Sequence, residues 1–140
     1  MLPYVLVSLL TVAQTALMFA VELNRTHATH PHWPGHARFH LVWQNLTSAA
    51  FTLLILALLW WPGPARHQRF YLAAAIAAVP LLSFLLAHTG KHLYGGALSD
   101  PHGVPPLRLR NREFDGNMAG IIIGLVTLIL ALAAALVTFQ

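Results

Sequence analysis

Residues 3–23 read PYVLVSLLTVAQTALMFAVEL, and Glu22 is the one charged residue among them. A membrane-spanning helix needs about 20 mostly apolar residues, and this stretch has that length. Its polar residues recur at spacings of three and four, so they share one helical face, which in a membrane turns toward other helices. That face comprises Ser8, Thr11, Thr15, Met18 and Glu22. The stretch predicts a transmembrane helix with a polar side that faces a helix bundle.

Three further stretches have the same character. Of the 140 residues, 57% are hydrophobic and 9% are charged, whereas about a quarter of the residues in a soluble globular protein are charged. The short connections leave no room for a soluble domain. We therefore predict an all-α integral membrane protein, a single four-span domain over residues 1–140. Its helices cover about 3–23, 36–61, 70–93 and 115–139, and they form an antiparallel up-down-up-down four-helix bundle.

Composition also limits the partners. Cysteine is absent, so any metal ion must take nitrogen and oxygen ligands. The net charge of +4 is spread over the loops and no nucleic-acid motif is present, which argues against a nucleic-acid partner. The expected partners are membrane lipid, a lipophilic small molecule and, because Gly120-x-x-x-Gly124 permits close helix contact, a second copy of the chain.

Histidines are concentrated in one part of the chain. Residues 26–44, THATHPHWPGHARFHLVWQ, hold five of the nine histidines. Four consecutive spans alternate in direction, so the end of helix 1, the start of helix 2, the end of helix 3 and the start of helix 4 share one membrane side. The other side offers only His67 as a candidate ligand. The polar residues expected on the histidine-rich side are Glu22, the histidines from His27 to His40, His88, His92, His102, Glu113, Asp115 and Asn117.

Two histidine pairs on this side have the spacing of metal ligands. Side chains at i and i+4 lie on the same helical face, so His36-x-x-x-His40 and His88-x-x-x-His92 can each offer two imidazoles to one centre. In four-helix di-metal proteins the ligands come from facing helices and glutamate bridges the ions. The predicted metal ligands are therefore His36, His40, His88, His92 and Glu22. Iron is the preferred ion, with zinc or copper as alternatives, because imidazole and carboxylate suit all of them.

Other polar residues on this side have structural alternatives. His27, His30, His32 and His102 lie in predicted loops, where a polar interfacial role needs no metal. Glu22 has an alternative role as the ion-pair partner of Arg25 or Arg38. The loop over residues 94–112 is long and without periodicity, so it is expected to be a lid or a partner-binding segment.

Two families resemble parts of this pattern. The H-x-x-x-H boxes near helix ends resemble the histidine boxes of integral-membrane desaturases and hydroxylases, which hold non-haem di-iron. The region of helix 2 in this four-span chain resembles styrene oxide isomerase. The resemblance covers Trp33, the segment Ala37-Arg38-Phe39-His40, and Asn45. That family binds haem b through a helix-2 histidine and opens an epoxide with ferric iron as Lewis acid. The resemblance implies that His40 is the axial haem ligand and that Asn45 belongs to the catalytic site.

Three functions fit these observations. The first is a membrane enzyme with a His-ligated metal or haem centre that isomerises or oxidises a lipophilic substrate. The second is metal-free acid-base isomerisation of a sterol- or terpene-like molecule by Glu22 and a histidine. The third is a metal-handling accessory subunit of a larger complex. For the enzyme, the predicted catalytic residues are Glu22, Asn45 and Asn117.

Basic residues predict the orientation. Arginine and lysine are more numerous on the histidine-rich side, and the positive-inside rule then places that side in the cytoplasm and both termini outside. The basic residues on the histidine-rich side are Arg25, Arg38, Lys91, Arg108, Arg110 and Arg112, and those on the opposite side are Arg66 and Arg69.

Overall fold

The computed structural model describes residues 1–99, 104–110 and 112–139. In this part of the chain, the regular secondary structure is helical apart from two strands of three residues each. Four of its helices are long and apolar enough to cross a membrane. The elements are α1 (Leu2–Glu22), α2 (Gly35–Trp60), α3 (Arg66–Gly90), a 3-10 turn (Lys91–Leu93), β1 (Leu107–Leu109), β2 (Arg112–Phe114) and α4 (Gly116–Thr138).

The third helix begins earlier than the sequence pattern suggested. We expected a start at about residue 70, but α3 begins at Arg66, directly after Ala65 in the left-handed conformation. The guanidinium of Arg69 donates to the backbone carbonyls of Trp61, at 2.6 Å, and Gly63, at 3.2 Å. These bonds close the turn between α2 and α3, so the polar first turn of α3 is helical although hydropathy alone does not mark it.

The segment between α3 and α4 contains a β-hairpin that the sequence analysis missed. β1 and β2 are antiparallel, with Arg108 opposite Glu113 and Leu109 opposite Arg112. Strands of three residues are too short for an alternating pattern to be recognised, which explains the omission. Residues 100–103, with His102, lie outside the described residues, so the expectation of a lid stays a prediction.

An aromatic cluster joins one end of each long helix. The ring of Tyr4 on α1 lies 5.3 Å from Phe70 on α3, 5.7 Å from Phe139 after α4 and 6.2 Å from Trp60 on α2. His67 stacks on Phe139 with ring centroids 4.2 Å apart. We call this cluster of five residues the aromatic end. The contacts bring together the start of α1, the end of α2, the start of α3 and the end of α4.

Burial is concentrated toward the aromatic end. Val7, Leu59 and Ala135 are typical of the buried residues there. The opposite parts of the four helices, all of them described, form what we call the open half: residues 12–22, 35–51, 82–90 and 116–123. Within these segments Asn45 is the one buried residue. The predicted site residues of the helices all belong to the open half. More helix residues are therefore buried where the aromatic residues lie than where the candidate ligands lie.

Hydroxyl groups connect α1 to α2 near the middle of both helices. The hydroxyl oxygen of Thr52 lies 3.0 Å from that of Thr11 and 2.7 Å from that of Thr15. Thr11 and Thr15 belong to the polar face that the sequence predicted for the first helix. Hydrogen bonds of this kind hold helices together in a membrane, where no hydrophobic force acts between them.

Candidate functional site

His36 and His40 form a close pair at the start of α2. The helix begins at Gly35, so both histidines are helical, and the spacing of four residues places their rings on one face. Their Nε2 atoms are 3.0 Å apart, and the ring centroids are 4.4 Å apart with the planes at 79°. Both side chains are exposed. The two Nε2 atoms thus lie within hydrogen-bond distance of each other.

The geometry of this pair suits a shared metal ion. Zinc–imidazole bonds are about 2.0–2.1 Å long. The two nitrogens are 3.0 Å apart. If one ion were bonded to both at those lengths, the nitrogen–metal–nitrogen angle would be roughly 95°. That angle matches neighbouring positions of an octahedral or square-planar ion, and small rotations of the rings reach a tetrahedral angle. His36 and His40 therefore fit a chelating role for first-row transition ions.

The second histidine pair is not presented from one helix. α3 ends at Gly90, and His92 lies in the following 3-10 turn with an exposed side chain. His88 remains helical and partly buried, its ring parallel to that of Phe84 with centroids 6.4 Å apart. The Nδ1 atom of His88 is buried and makes no hydrogen bond to the described residues. The expectation that His88 and His92 share a face stays a prediction.

Glu22 bonds to an asparagine of the neighbouring helix. Its Oε2 accepts a hydrogen bond of 2.6 Å from Nδ2 of Asn45, which also donates to the backbone carbonyl of Leu41 at 2.9 Å. Asn45 is fully buried, and its Oδ1 has no hydrogen-bond donor among the described residues. The sequence had offered Arg25 or Arg38 as structural partners for Glu22. The partner is instead a residue that the sequence placed in the catalytic site.

The loop histidines pack against one another and against Trp33. His30 is 7% exposed, and its ring lies 6.1 Å from that of Trp33. The ring of His27 lies 5.3 Å from the same indole, and its Nδ1 is 2.7 Å from the hydroxyl of Thr26. The first loop is therefore a packed structure. Asn117 lies in the first turn of α4 with an exposed side chain.

The described residues contain no group of three or more His, Cys, Asp or Glu side chains placed to hold one metal ion. The structure places His36 in contact with His40, and Glu22 in contact with Asn45. It shows no contact between either pair and His88, His92 or Asn117 in that part of the chain. The five-ligand centre stays a prediction, and within it the contact that the structure shows is the one between His36 and His40, at 3.0 Å.

An open groove of about 400 Å³ runs along α2 from His40 and is closed on one side by α3. Its size lies within the range of pockets that hold small molecules. The hydroxyls of Thr47 and Ser48 donate to carbonyls of their own helix, which leaves their oxygens able to accept a further bond. The groove is lined by His40, Trp43, Gln44, Thr47, Ser48, Phe51, Val79 and Pro80.

Part of the groove lining shares one face of a helix. His40, Gln44 and the two hydroxyl residues recur at helical spacing, which marks one face of α2. The contribution of α3 was missed, although Pro80 is itself a signal. Proline lacks the backbone N–H that would bond four residues back, so it leaves a carbonyl without its helical donor.

No protein-family model, curated protein or solved structure matches the chain. The resemblances to styrene oxide isomerase and to the desaturases stay predictions.

Proposed function

We propose that this chain is a small integral-membrane enzyme in which His36 and His40 hold a transition-metal ion beside a groove for a lipophilic substrate. The observation that carries the proposal is the position of His40. Its ring belongs both to the nitrogen pair with ligand spacing and to the lining of the groove. A bound ion would thus lie at the rim of the groove, within reach of a molecule inside it.

The proposal includes an antiparallel arrangement of the four helices as a membrane bundle. The contacts at the aromatic end support it, because they join alternating ends of successive helices. In this arrangement the open half lies at the opposite boundary, where Glu22 and the histidine pair are within reach of water. Lipophilic substrate enters sideways from the bilayer, and metal ion enters from the aqueous side.

Each part of the groove has a defined task in this mechanism. Trp43 and Phe51 supply apolar surface for the substrate, while Gln44, Thr47 and Ser48 orient its polar group by hydrogen bonds. The metal ion, when bound, supplies Lewis-acid or redox chemistry at a substrate oxygen. Two protein ligands leave several coordination positions open, as a catalytic ion requires. Iron suits the imidazole ligands, with zinc or copper as alternatives.

Metal content tests the first half of the proposal. Full-length protein is purified in detergent, loaded separately with Fe²⁺, Zn²⁺ and Cu²⁺, desalted and measured by elemental analysis and absorption. We expect stoichiometric metal in the parent protein and loss of it in His36→Ala and in His40→Ala. His67→Ala is the matched control, because His67 is also an exposed helical histidine but lies at the aromatic end. Parent protein that retains none of the three ions would refute the metal site.

The same measurements separate the related hypotheses. A Soret band that disappears in His40→Ala but persists in His36→Ala would indicate a haem with one axial imidazole in place of a chelated ion. Loss of metal in His88→Ala or His92→Ala as well would extend the centre toward the five-ligand site of the sequence analysis. Retained metal without turnover of any lipophilic substrate would favour a metal-handling accessory subunit.

Occupation of the groove tests the second half. Ser48→Trp places an indole in the groove, whereas Ala50→Trp places one on a neighbouring exposed position of α2 outside the lining. With a terpene epoxide and a fluorescent sterol as probes, we expect Ser48→Trp to lose binding and Ala50→Trp to retain it. Equal binding by both variants would place the substrate elsewhere.

The Glu22–Asn45 pair favours a second candidate, metal-free acid-base isomerisation. A partly buried carboxylate held by a hydrogen bond from a buried amide is a group that can exchange a proton with a substrate. Here Glu22 exchanges the proton and Asn45 holds the carboxylate in place. Turnover that survives exhaustive chelation but is abolished in Glu22→Gln would support this candidate. Turnover that chelation abolishes would support the metal enzyme.

Sidedness and assembly complete the proposal. The excess of arginine and lysine places the histidine-rich side in the cytoplasm and both termini outside. A homo-oligomer is compatible with Gly120, because an added Cβ there would meet no atom within 4 Å. That part of α4 is thus available for close approach by a second copy.

A further inference from the structure

The β-hairpin before α4 carries a depression walled by charged side chains. Arg108, Arg110, Arg112 and Glu113 surround a volume of about 410 Å³. Three guanidinium groups and one carboxylate give this surface a formal charge of +2. None of the described histidines and no residue of the groove lines it, so the surface is a separate feature of the described part of the molecule.

The hairpin backbone holds these side chains together. Arg108 is paired with Glu113 across the two strands, and its guanidinium lies 2.9 Å from the carboxylate. Arg110 has a φ of 53°, in the left-handed region that tight turns require. Arg112 follows in the second strand. Glu113 engages the guanidinium of Arg108, and within residues 1–99, 104–110 and 112–139 no ion pair involves Arg110 or Arg112, so both can attract an external anion.

The hairpin lies next to a membrane-spanning helix. β2 ends at Phe114, and α4 begins at Gly116 after Asp115, whose carboxylate caps the helix by accepting from the backbone N–H of Met118. The apolar part of α4 follows without a further connection. The phenyl ring of Phe114 is exposed. The arginines thus lie within a few residues of the hydrocarbon boundary, which is the level of lipid phosphate groups.

We propose that this hairpin binds the phosphate group of an anionic phospholipid. Guanidinium groups bind phosphate oxygens in a bidentate manner, with charge-assisted hydrogen bonds. Basic clusters beside transmembrane helices attract anionic lipids with about 1 kcal/mol per residue near the surface. A lipid is preferred over free phosphate because the exposed Phe114 and the start of α4 offer apolar contact to its acyl chains.

Binding of short-chain lipids to the full-length protein in neutral detergent tests this proposal. Dissociation constants are measured by calorimetry for dihexanoyl phosphatidylglycerol, dihexanoyl phosphatidylcholine and inorganic phosphate. We expect phosphatidylglycerol to bind most tightly. Arg110→Gln and Arg112→Gln should each weaken its binding about fivefold, the factor that corresponds to about 1 kcal/mol. Arg25→Gln is the matched control, because it removes one exposed charge from another loop and should leave affinity unchanged.

A variant with the opposite effect excludes simple unfolding as the cause. Glu113→Gln removes the carboxylate that competes for Arg108, so binding of phosphatidylglycerol should tighten. The proposal is wrong if Arg25→Gln weakens binding as much as Arg110→Gln, because the attraction would then be general. Equal affinity for phosphatidylcholine, or inorganic phosphate binding as tightly as phosphatidylglycerol, would also overturn it. These outcomes are independent of the metal content, so this proposal and the proposed enzyme can fail separately.

Discussion

Gly124 is the position where a single methyl group should disturb the packing of three helices. A Cβ added there would lie 2.8 Å from Cδ2 of Leu81 on α3 and 3.3 Å from Cδ1 of Leu10 on α1. Carbon atoms prefer separations of about 3.5–4.0 Å, so the contact with Leu81 is too short by roughly 1 Å. Leu81 is fully buried and Leu10 nearly so. Neither side chain can move aside without displacing its own neighbours.

The magnitude follows from two opposing effects. Overpacking a core by a methyl or methylene group costs about 1–3 kcal/mol. Alanine in place of glycine within a helix gains about 0.5–1 kcal/mol. Gly120 is the matched control, because it lies one turn earlier on α4 and an added Cβ meets no atom within 4 Å. The helix-propensity gain is the same at both sites, so Gly124→Ala should be about 1–3 kcal/mol less stable than Gly120→Ala.

Reversible unfolding in mixed micelles measures this difference. The free energy of unfolding is obtained by titration with sodium dodecyl sulfate and followed by circular dichroism. Truncation of the Leu81 side chain, which lies opposite Gly124, provides a second check. In a Leu81→Ala background the added methyl has room, and Gly124→Ala should then behave like Gly120→Ala. If the two glycine variants agree within about 0.5 kcal/mol in the parent background, the steric argument is refuted.

Three further outcomes are expected. Thr52→Val removes the hydroxyl shared by two threonines of α1 and should lower the free energy of unfolding by about 0.6–1.7 kcal/mol, as measured in the same titration. Phe139→Ala removes ring contacts at the aromatic end and should lower it by at least about 1 kcal/mol, whereas unchanged stability would show that the cluster contributes nothing. The chain lacks cysteine, so Thr29→Cys and Gln68→Cys report the orientation without interference. In intact cells an impermeant maleimide should label Gln68→Cys, and Thr29→Cys should react only after lysis, while the reverse pattern would invert the proposed topology.

Hydropathy and helical spacing predicted much of the architecture. Four long apolar stretches predicted four helices that can cross a membrane, and the structure has them. The spacing of four residues predicted that His36 and His40 share a face, and their nitrogens are in contact. Both predictions depend on short-range geometry, because a helix fixes the relation between residues one turn apart. For His88 and His92 the same expectation stays a prediction, since α3 ends at Gly90 and His92 lies in the 3-10 turn that follows.

Contacts between helices required the tertiary structure. The pairing of Glu22 with Asn45 depends on how α1 and α2 are rotated and shifted against each other, and no spacing along the chain reveals that. The fit of Gly124 against two leucines depends on three helices at once. The hairpin was missed because three residues per strand carry too little pattern.

By itself, the sequence determined that this protein has four apolar helices, a histidine-rich segment and a helical histidine pair, because composition and helical period are local properties. Only the tertiary structure decided where the helices pack tightly. It placed the core toward the aromatic end and left a groove between α2 and α3 beside His40. The physical reason is that lipid-facing and bundle-facing apolar residues look alike in sequence. The sequence therefore does not reveal which helix surfaces contact each other, and those contacts determine where a site can form.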